Sequence, residues 1–191
     1  QASDSTERGF VSIGKNPRYF AYDNGEFLYP LILNIRSPRD EINHDYFDFE
    51  FPKKEDGSYV LFNYLQRMQK VGINVGRVWM SPWFGGIEWN ADENGFHGLG
   101  VYNLQNAFRI DQILNRALSH DIMIELALNH HGPFTQRYDS QWASNPYNTA
   151  LGGPARSPRD IMTNKESKEL FKKRLRYIAA RYGAYPNLFA Y

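Results

Sequence analysis

The order of the apolar segments constrains this 191-residue chain more than any other feature. Three times a short apolar run is followed by a long polar or aromatic loop and then by a helical pattern. The runs are "YPLILNI", "INVGRVWM" and "DIMIELAL", and the helical patterns are "LFNYLQRMQKVG", "NLQNAFRIDQILNRALSH" and "NKESKELFKKRLRYIAARYG". A fourth run, "NLFAY", follows the third helix and is read as the start of a fourth strand. Strands alternating with helices imply βαβ crossovers and a parallel sheet. The connections are unequal. Each strand-to-helix loop takes about twenty residues or more, while the helix-to-strand turns are as short as "VG", "SHD" and "YGAYP". Long loops without secondary structure are uncommon unless they are functional. All three leave the C-terminal ends of parallel strands, where α/β proteins build their sites.

Finer patterns set expectations for each element. In the first helix Leu61, Leu65, Met68 and Val71 share a stripe, and Gly72 is a stop. In the second, Leu104, Ala107, Phe108, Asp111, Leu114 and Leu118 fall near one face, with Asp111 the odd member. The third has Asn164 as N-cap and Gly183 as stop. Upstream, residues 1–8 read as a polar tail and 9–28 as a hairpin. There Asp23-Asn24-Gly25 separates "YFAY" from "EFLYP", and Asn and Gly accept the positive φ that a two-residue turn demands. The continuous apolar run "YPLILNI" is expected to be buried on both faces. Residues 36–60, with two prolines, form the first long loop.

Composition excludes several classes of function. The net charge is +1 and no basic stripe stands out, which argues against nucleic acid or an anionic membrane as partner. No apolar stretch approaches the roughly 18 residues of a membrane span. The absence of cysteine rules out disulfides, thiolate catalysis and zinc-thiolate sites. There is no G-x-G-x-x-G after a strand and no phosphate-binding loop, and no cofactor is implied. The N-terminal "QASDSTERGF" lacks a leader pattern, but its Ala and Ser suit a mature end left by leader removal. That gives a secreted or periplasmic location as the expectation. Aromatic residues reach 16%, from 13 Tyr, 13 Phe and 4 Trp. Such rings serve a bulky core or a cleft that stacks flat faces, including those of sugars.

Five groups of residues are candidates for chemistry. Arg77, a charge inside the apolar strand "INVGRVWM", needs a partner. Either a carboxylate such as Glu125 pairs with it for the fold alone, or it fixes and acidifies a catalytic carboxylate. Glu125 lies in mid-strand, away from a strand end. Asn129, His130 and His131 close the third strand, and adjacent histidines there point to opposite sides. They lack the further ligands a metal would need, so no metal is assigned. Trp79, Trp83, Trp89 and Trp142 lie at strand ends or in the long loops, where rings either stack on a carbohydrate or pin the loops by burial. Finally, glycosidic hydrolysis with retention needs two carboxylates about 5 Å apart. No convincing pair stands at these strand ends, and Glu88, Asp92 and Glu93 lie in a loop with nothing to place them.

Taken in order, "NVGRVWMSPWFGGIEW", "LGVYNLQNAFRIDQILNRALSHDIMIELALNHHGPF", "NPYNTALGGP" and "LFKKRLRYIAARYGAYPNLFAY" resemble the N-terminal half of a clan A glycoside hydrolase. The likeness is to cellulase-like family 5 relatives with a (β/α)8 barrel, and it covers residues 9–191. It implies a TIM barrel preceded by a β-hairpin, with 9–28 closing the barrel bottom and 29–191 supplying three βα units and the start of strand four. It implies a supporting role for Arg77 beside the catalytic carboxylates. His131, which precedes Gly132, matches the family histidine, and His130 then stands where the family has Asn. Trp79, Trp83, Asn129, His130 and Trp142 become candidate substrate contacts. The family's acid/base glutamate follows directly after "PNLFAY" and its nucleophile lies on strand seven, so neither falls within this sequence. The barrel is therefore expected to be incomplete here and the chain inactive by itself. Its expected partners are a β-linked polysaccharide or oligosaccharide and the remaining half of the barrel, as a separate or longer polypeptide or through self-association. A non-catalytic carbohydrate-binding or self-associating half-barrel is the alternative.

Overall fold

The computed structural model describes residues 8–36, 58–91 and 95–191. Two sheets and four α-helices make up the described part. Strands β1 (Val11–Ile13), β2 (Phe20–Tyr22) and β3 (Phe27–Leu28) form an antiparallel sheet in the order β1-β2-β3. Strands β4 (Ile32–Arg36), β5 (Val75–Trp79), β6 (Met123–Ala127) and β7 (Leu188–Ala190) form a parallel sheet in the order β4-β5-β6-β7. Helix α1 (Ser58–Lys70) joins β4 to β5, and α2 (Leu104–Leu118) joins β5 to β6. The short α3 (Asp160–Thr163) and the long α4 (Lys165–Tyr182) join β6 to β7. Each new strand adds beside the last without reversal. That is the progression of a barrel wall, whereas a doubly wound sheet reverses at a switch point.

One face of the parallel sheet makes the core. Ile35, Val78, Met80, Ile124 and Leu126 pack against Leu61, Leu65 and Met68 of α1, against Ala107, Ile110, Ile113, Leu114 and Ala117 of α2, and against Ile178 and Tyr182 of α4. Burying each Leu or Ile stabilises the fold by about 1.5–3 kcal/mol. Gly76 lets the layers close, because a Cβ there would stand 3.3 Å from both the Ile35 and Met68 side chains. Asn187 ties the layers at one end, with Nδ2 donating to the carbonyls of Leu114 (2.9 Å) and Ile122 (3.2 Å).

The helices form where the patterns place them, with differences in which face is buried. Asn103 caps α2 by accepting from Asn106 N at 3.0 Å, and Asn164 caps α4 by accepting from Ser167 N at 3.1 Å. On α2 the buried stripe is Asn106, Ala107, Ile110, Ile113, Leu114 and Ala117. Leu104 and Phe108 are exposed at 63% and 55%, so the expected face is rotated. The i, i+3, i+4, i+7 series through Ile110 and Ile113 runs the length of the helix and outweighs two large residues near its start. Asp111 flanks that stripe, where it accepts from Arg181 at 2.5 and 3.1 Å. Val71 is exposed because α1 has ended, and Gly72 turns the chain at φ +76°.

Two expectations upstream are corrected. The Asp23-Asn24-Gly25 segment is not a two-residue turn. Tyr22 N donates to Glu26 O, so three residues form the loop, and only Gly25 takes a positive φ. The expected hairpin is present as β2 and β3, and β1 adds a third antiparallel strand beside β2. The run "YPLILNI" is not buried on both faces, since Tyr29, Leu31, Ile32 and Leu33 are all exposed and Ile35 is buried. Its strand, β4, pairs with β5 alone among the described residues. Residues 37–57, most of the first long loop, lie outside the described residues, as do Asp92 and Glu93.

The antiparallel sheet sits at the N-terminal ends of the parallel strands. Arg8 donates through Nη1 to both carboxylate oxygens of Asp121, just before β6, at 2.8 and 2.9 Å, and pairs with Glu26 at 3.1 Å. Asn74, just before β5, accepts from Leu31 N at 2.8 Å and donates to Tyr29 O at 2.9 Å. Phe20 of β2 meets Phe189 of β7 edge to face, with ring centroids 5.2 Å apart. The opposite end of the sheet is left to the long loops.

Candidate functional site

Alternation places every second residue of β5 and β6 on the face turned away from the helices. With Gly76, Val78, Ile124 and Leu126 toward the helices, Arg77, Trp79, Glu125 and Ala127 lie on the other face. Arg77 and Glu125 are register partners on adjacent strands, and Arg77 Nε stands 3.2 Å from Glu125 Oε1. Their side chains are 46% and 22% exposed, so the pair is open to a ligand on this face.

One step nearer the strand ends lies an aromatic cluster. The His130 ring stacks on Trp79, with centroids 5.8 Å apart and planes within 15°. Trp83 meets the same ring edge-on at 4.9 Å. His130 Nε2 is 2.8 Å from Gln141 Oε1, which orients the imidazole about its own axis. The adjacent His131 meets the His130 ring edge to face, with centroids 6.0 Å apart. It is exposed, and its Nε2 lies 3.4 Å from Asp139 Oδ2. His130 is half-buried and His131 is at the exposed rim. Asn129 Oδ1 accepts from Arg174 Nη2 of α4 at 2.7 Å.

The loop after β6 has a small core of its own. Trp142, Tyr147, Ala155 and Ile161 are buried together and pack on Phe134, Leu170 and Phe171. Two asparagines staple this loop. Asn145 donates to Pro133 O and accepts from Tyr147 N, and Asn148 donates to Trp142 O and accepts from Ala150 N. Trp142 is therefore placed inside the loop at 6% exposure, apart from Trp79 and Trp83. Trp89 is equally buried.

Between the two cores lies a cavity of about 30 Å³ whose polar walls include Glu88, Asn129, His130, Tyr147 and Arg174. Glu88 is 4% exposed, and its Oε2 accepts from Gly100 N at 2.9 Å. Burial pushes its carboxyl above the ordinary range, opposed first by the charge of Arg174 and then by the Gly100 hydrogen bond. Burial also raises the Tyr147 hydroxyl, and it raises Tyr102 to about 12, in both cases with help from the nearby Glu88 charge. The sequence gives Glu88 no distinguishing mark beyond its place between Ile87 and Trp89. Arg174 looks like any basic residue of "KKRLR". From the sequence, Glu88 is a candidate only as a loop carboxylate with nothing to place it.

No family model matches the sequence, and no curated protein is similar to it. Solved structures are similar in fold. A glycoside hydrolase family 5 mannosidase from Rhizomucor miehei superposes with a TM-score of 0.58 at 14% identity, over 96% of this chain and 46% of its own. A glycoside hydrolase family 5 structure from Bacteroides vulgatus gives 0.55 at 14% identity, over 100% and 34%. A second structure from that organism, titled a putative glycoside hydrolase, gives 0.56 at 15% identity, over 99% and 32%. The chain spans between a third and a half of the length of these structures. Its fold is that of the first part of their barrels.

Proposed function

We propose that this chain forms the first three βα units of a glycoside hydrolase barrel that acts on β-linked polysaccharide or oligosaccharide with retention, and that it contributes part of the cleft and not the catalytic pair. The observation that carries this reading is the arrangement at the strand ends, where Trp79, His130 and Trp83 stand next to the Arg77–Glu125 pair. Flat rings beside a charged fork suit a ligand with apolar faces and hydroxyl edges. In this reading Trp79 and Trp83 contact a sugar, and Arg77 supports a carboxylate supplied from beyond this sequence. Asn129, His130 and His131 hydrogen-bond near it, and Trp142 shapes the cleft by holding its loop. The exposed Leu31, just before β4, and Ile32 and Leu33 on it are the surface that further barrel units cover.

A second reading is favoured by one observation. Among the described carboxylates near the site, Glu125 is tied to Arg77 and Glu88 is buried behind Tyr147. Neither is free to form a retaining pair. A carbohydrate-binding half-barrel without catalysis fits that equally.

The two readings separate in one experiment. Tryptophan emission of the 191-residue chain is titrated with β-1,4-linked manno- and gluco-oligosaccharides, alongside W79A and W83A. The polypeptide encoded by the complete reading frame is assayed for reducing-sugar release. Saturable quenching lost in both variants, with hydrolysis by the complete polypeptide, is the expected result. Binding without hydrolysis moves the assignment to the second reading, and no binding by either polypeptide overturns both.

A further inference from the structure

We infer that Arg174, with Glu88 as its counter-charge, is a positioning residue that sets where β6 presents Asn129 and His130. The inference rests on reading that strand end as part of a substrate cleft. Most cations of α4 face outward, and Lys172, Lys173 and Arg176 are exposed. Arg174 turns inward, with its guanidinium 4.7 Å over the Phe171 ring and Nη2 on Asn129 Oδ1 at 2.7 Å. Facing it is a carboxylate that is almost wholly buried. Glu88 and Tyr147 interact with each other, Arg174 Nε makes no hydrogen bond, and all three residues line the same cavity.

A half-buried cation and a buried carboxylate that share a cavity without a direct ion pair contribute little net stability, because desolvation offsets the attraction. Two apolar side chains would fill the space between the cores as well. What such side chains cannot do is hold Asn129 at a fixed point. Asn129 is the residue before His130, whose ring lies between two indoles and tolerates little displacement. Glu88 attracts the guanidinium from across the cavity and holds Gly100 N–H with Oε2. Lys173 holds Gly100 O at 3.2 Å. The loop after β5, the end of β6 and the middle of α4 are thereby registered against one another. Glycan contacts on the two strands, Trp79 and His130, keep their spacing through this link.

The test uses the 191-residue chain with R174M, R174K and E88Q, and with R181M as a control on the same helix. The His130 imidazole carbon-bound protons are followed by NMR, since the stacked Trp79 ring shifts them by its ring current. R174M is expected to move these signals toward those of the exposed His131, and R174K to restore part of the shift. E88Q is expected to move them in the same direction as R174M. R181M, which breaks the Asp111 pair, lowers the melting temperature and leaves them in place. If R174M does not fold, R174K and E88Q carry the test. His130 signals unchanged in every variant that folds, or displaced equally by R181M, would overturn the inference. The oligosaccharide titration is run on the same samples. A wild type that binds no glycan refutes the cleft reading, while the NMR result still decides the positioning role.

Discussion

Gly152 and Gly153 are adjacent and required for different physical reasons, and alanine scanning separates them. Gly152 ends a 3₁₀ turn at φ +83°, and a Cβ there meets nothing within 4 Å. Gly152→Ala therefore has room but the wrong backbone, at a cost of about 1–2 kcal/mol. Gly153 has no such φ, but a Cβ there overlaps the Pro146 carbonyl oxygen and the Tyr147 carbonyl group. These are backbone atoms, so no rotamer change relieves the clash. The loop must open, which loosens Gly153 N to Asn148 O (2.9 Å), Ala155 N to Tyr147 O (2.8 Å) and Thr149 N to Ala155 O (2.9 Å). At about 1 kcal/mol for each lost bond, with Trp142 and Tyr147 packing lost besides, Gly153→Ala costs about 3 kcal/mol or more. In a chain of this size each kcal/mol lowers the melting temperature by roughly 2–4 °C. Thermal melts by far-UV circular dichroism give the global loss, and tryptophan emission in native buffer reports local opening around Trp142. If Gly153→Ala costs no more than Gly152→Ala and leaves the emission unchanged, the steric account of this loop is wrong.

Other perturbations test other parts of the structure. Because the folded carboxyl of Glu88 is raised above 4.5, the folded state holds its proton more tightly than the unfolded chain. Its contribution is thus most favourable below that value and declines as pH rises from there through the folded midpoint. Gln lacks the decline, so the stability of E88Q relative to wild type should rise as pH is raised above the ordinary carboxyl range, and a flat difference would refute the assignment. Asn187→Ala strands the carbonyls of Leu114 and Ile122 and should cost about 2–3 kcal/mol in urea unfolding. Arg181→Met removes a two-point contact with Asp111 and should cost about 1–2 kcal/mol, diminished by salt.

The repeating architecture was legible because it rests on periodicity and on loop length, both of which are local. Asn164 and Gly183 could be read directly, since capping and stopping depend on a few neighbouring residues. The face of α2 was harder. Leu104 and Phe108 compete with Ile110 and Ile113 for one apolar stripe, and only the neighbouring layers decide between them. The exposure of β4 follows from what pairs beside it, which its own apolar residues do not record. At the site, His130 and His131 lie past the end of β6, so strand alternation does not govern them, and their rings meet edge to face. Arg77 and Glu125 were visible as charges in apolar runs, and their pairing needed only register. Glu88 was unreadable for the opposite reason. Its environment is assembled from Gly100, Tyr102, Tyr147 and Arg174, which are distant in sequence, and no local pattern marks a loop carboxylate as buried.

Helix α4 belongs to two cores at once. Leu170 and Phe171 near its start pack on the core of the preceding loop, while Ile178 and Tyr182 near its end belong to the main core. The helix is therefore cooperative along its hydrogen bonds and divided in its packing. Under native conditions the loop and the first turns of α4 should open together as one unit, with the last turns closed until global unfolding. Amide exchange would then show two protection levels within one continuous helix, meeting near Arg174. Any ligand that orders the loop would raise protection in the first half of the helix and leave the second half unchanged, so α4 carries its own internal reference for ordering of that loop.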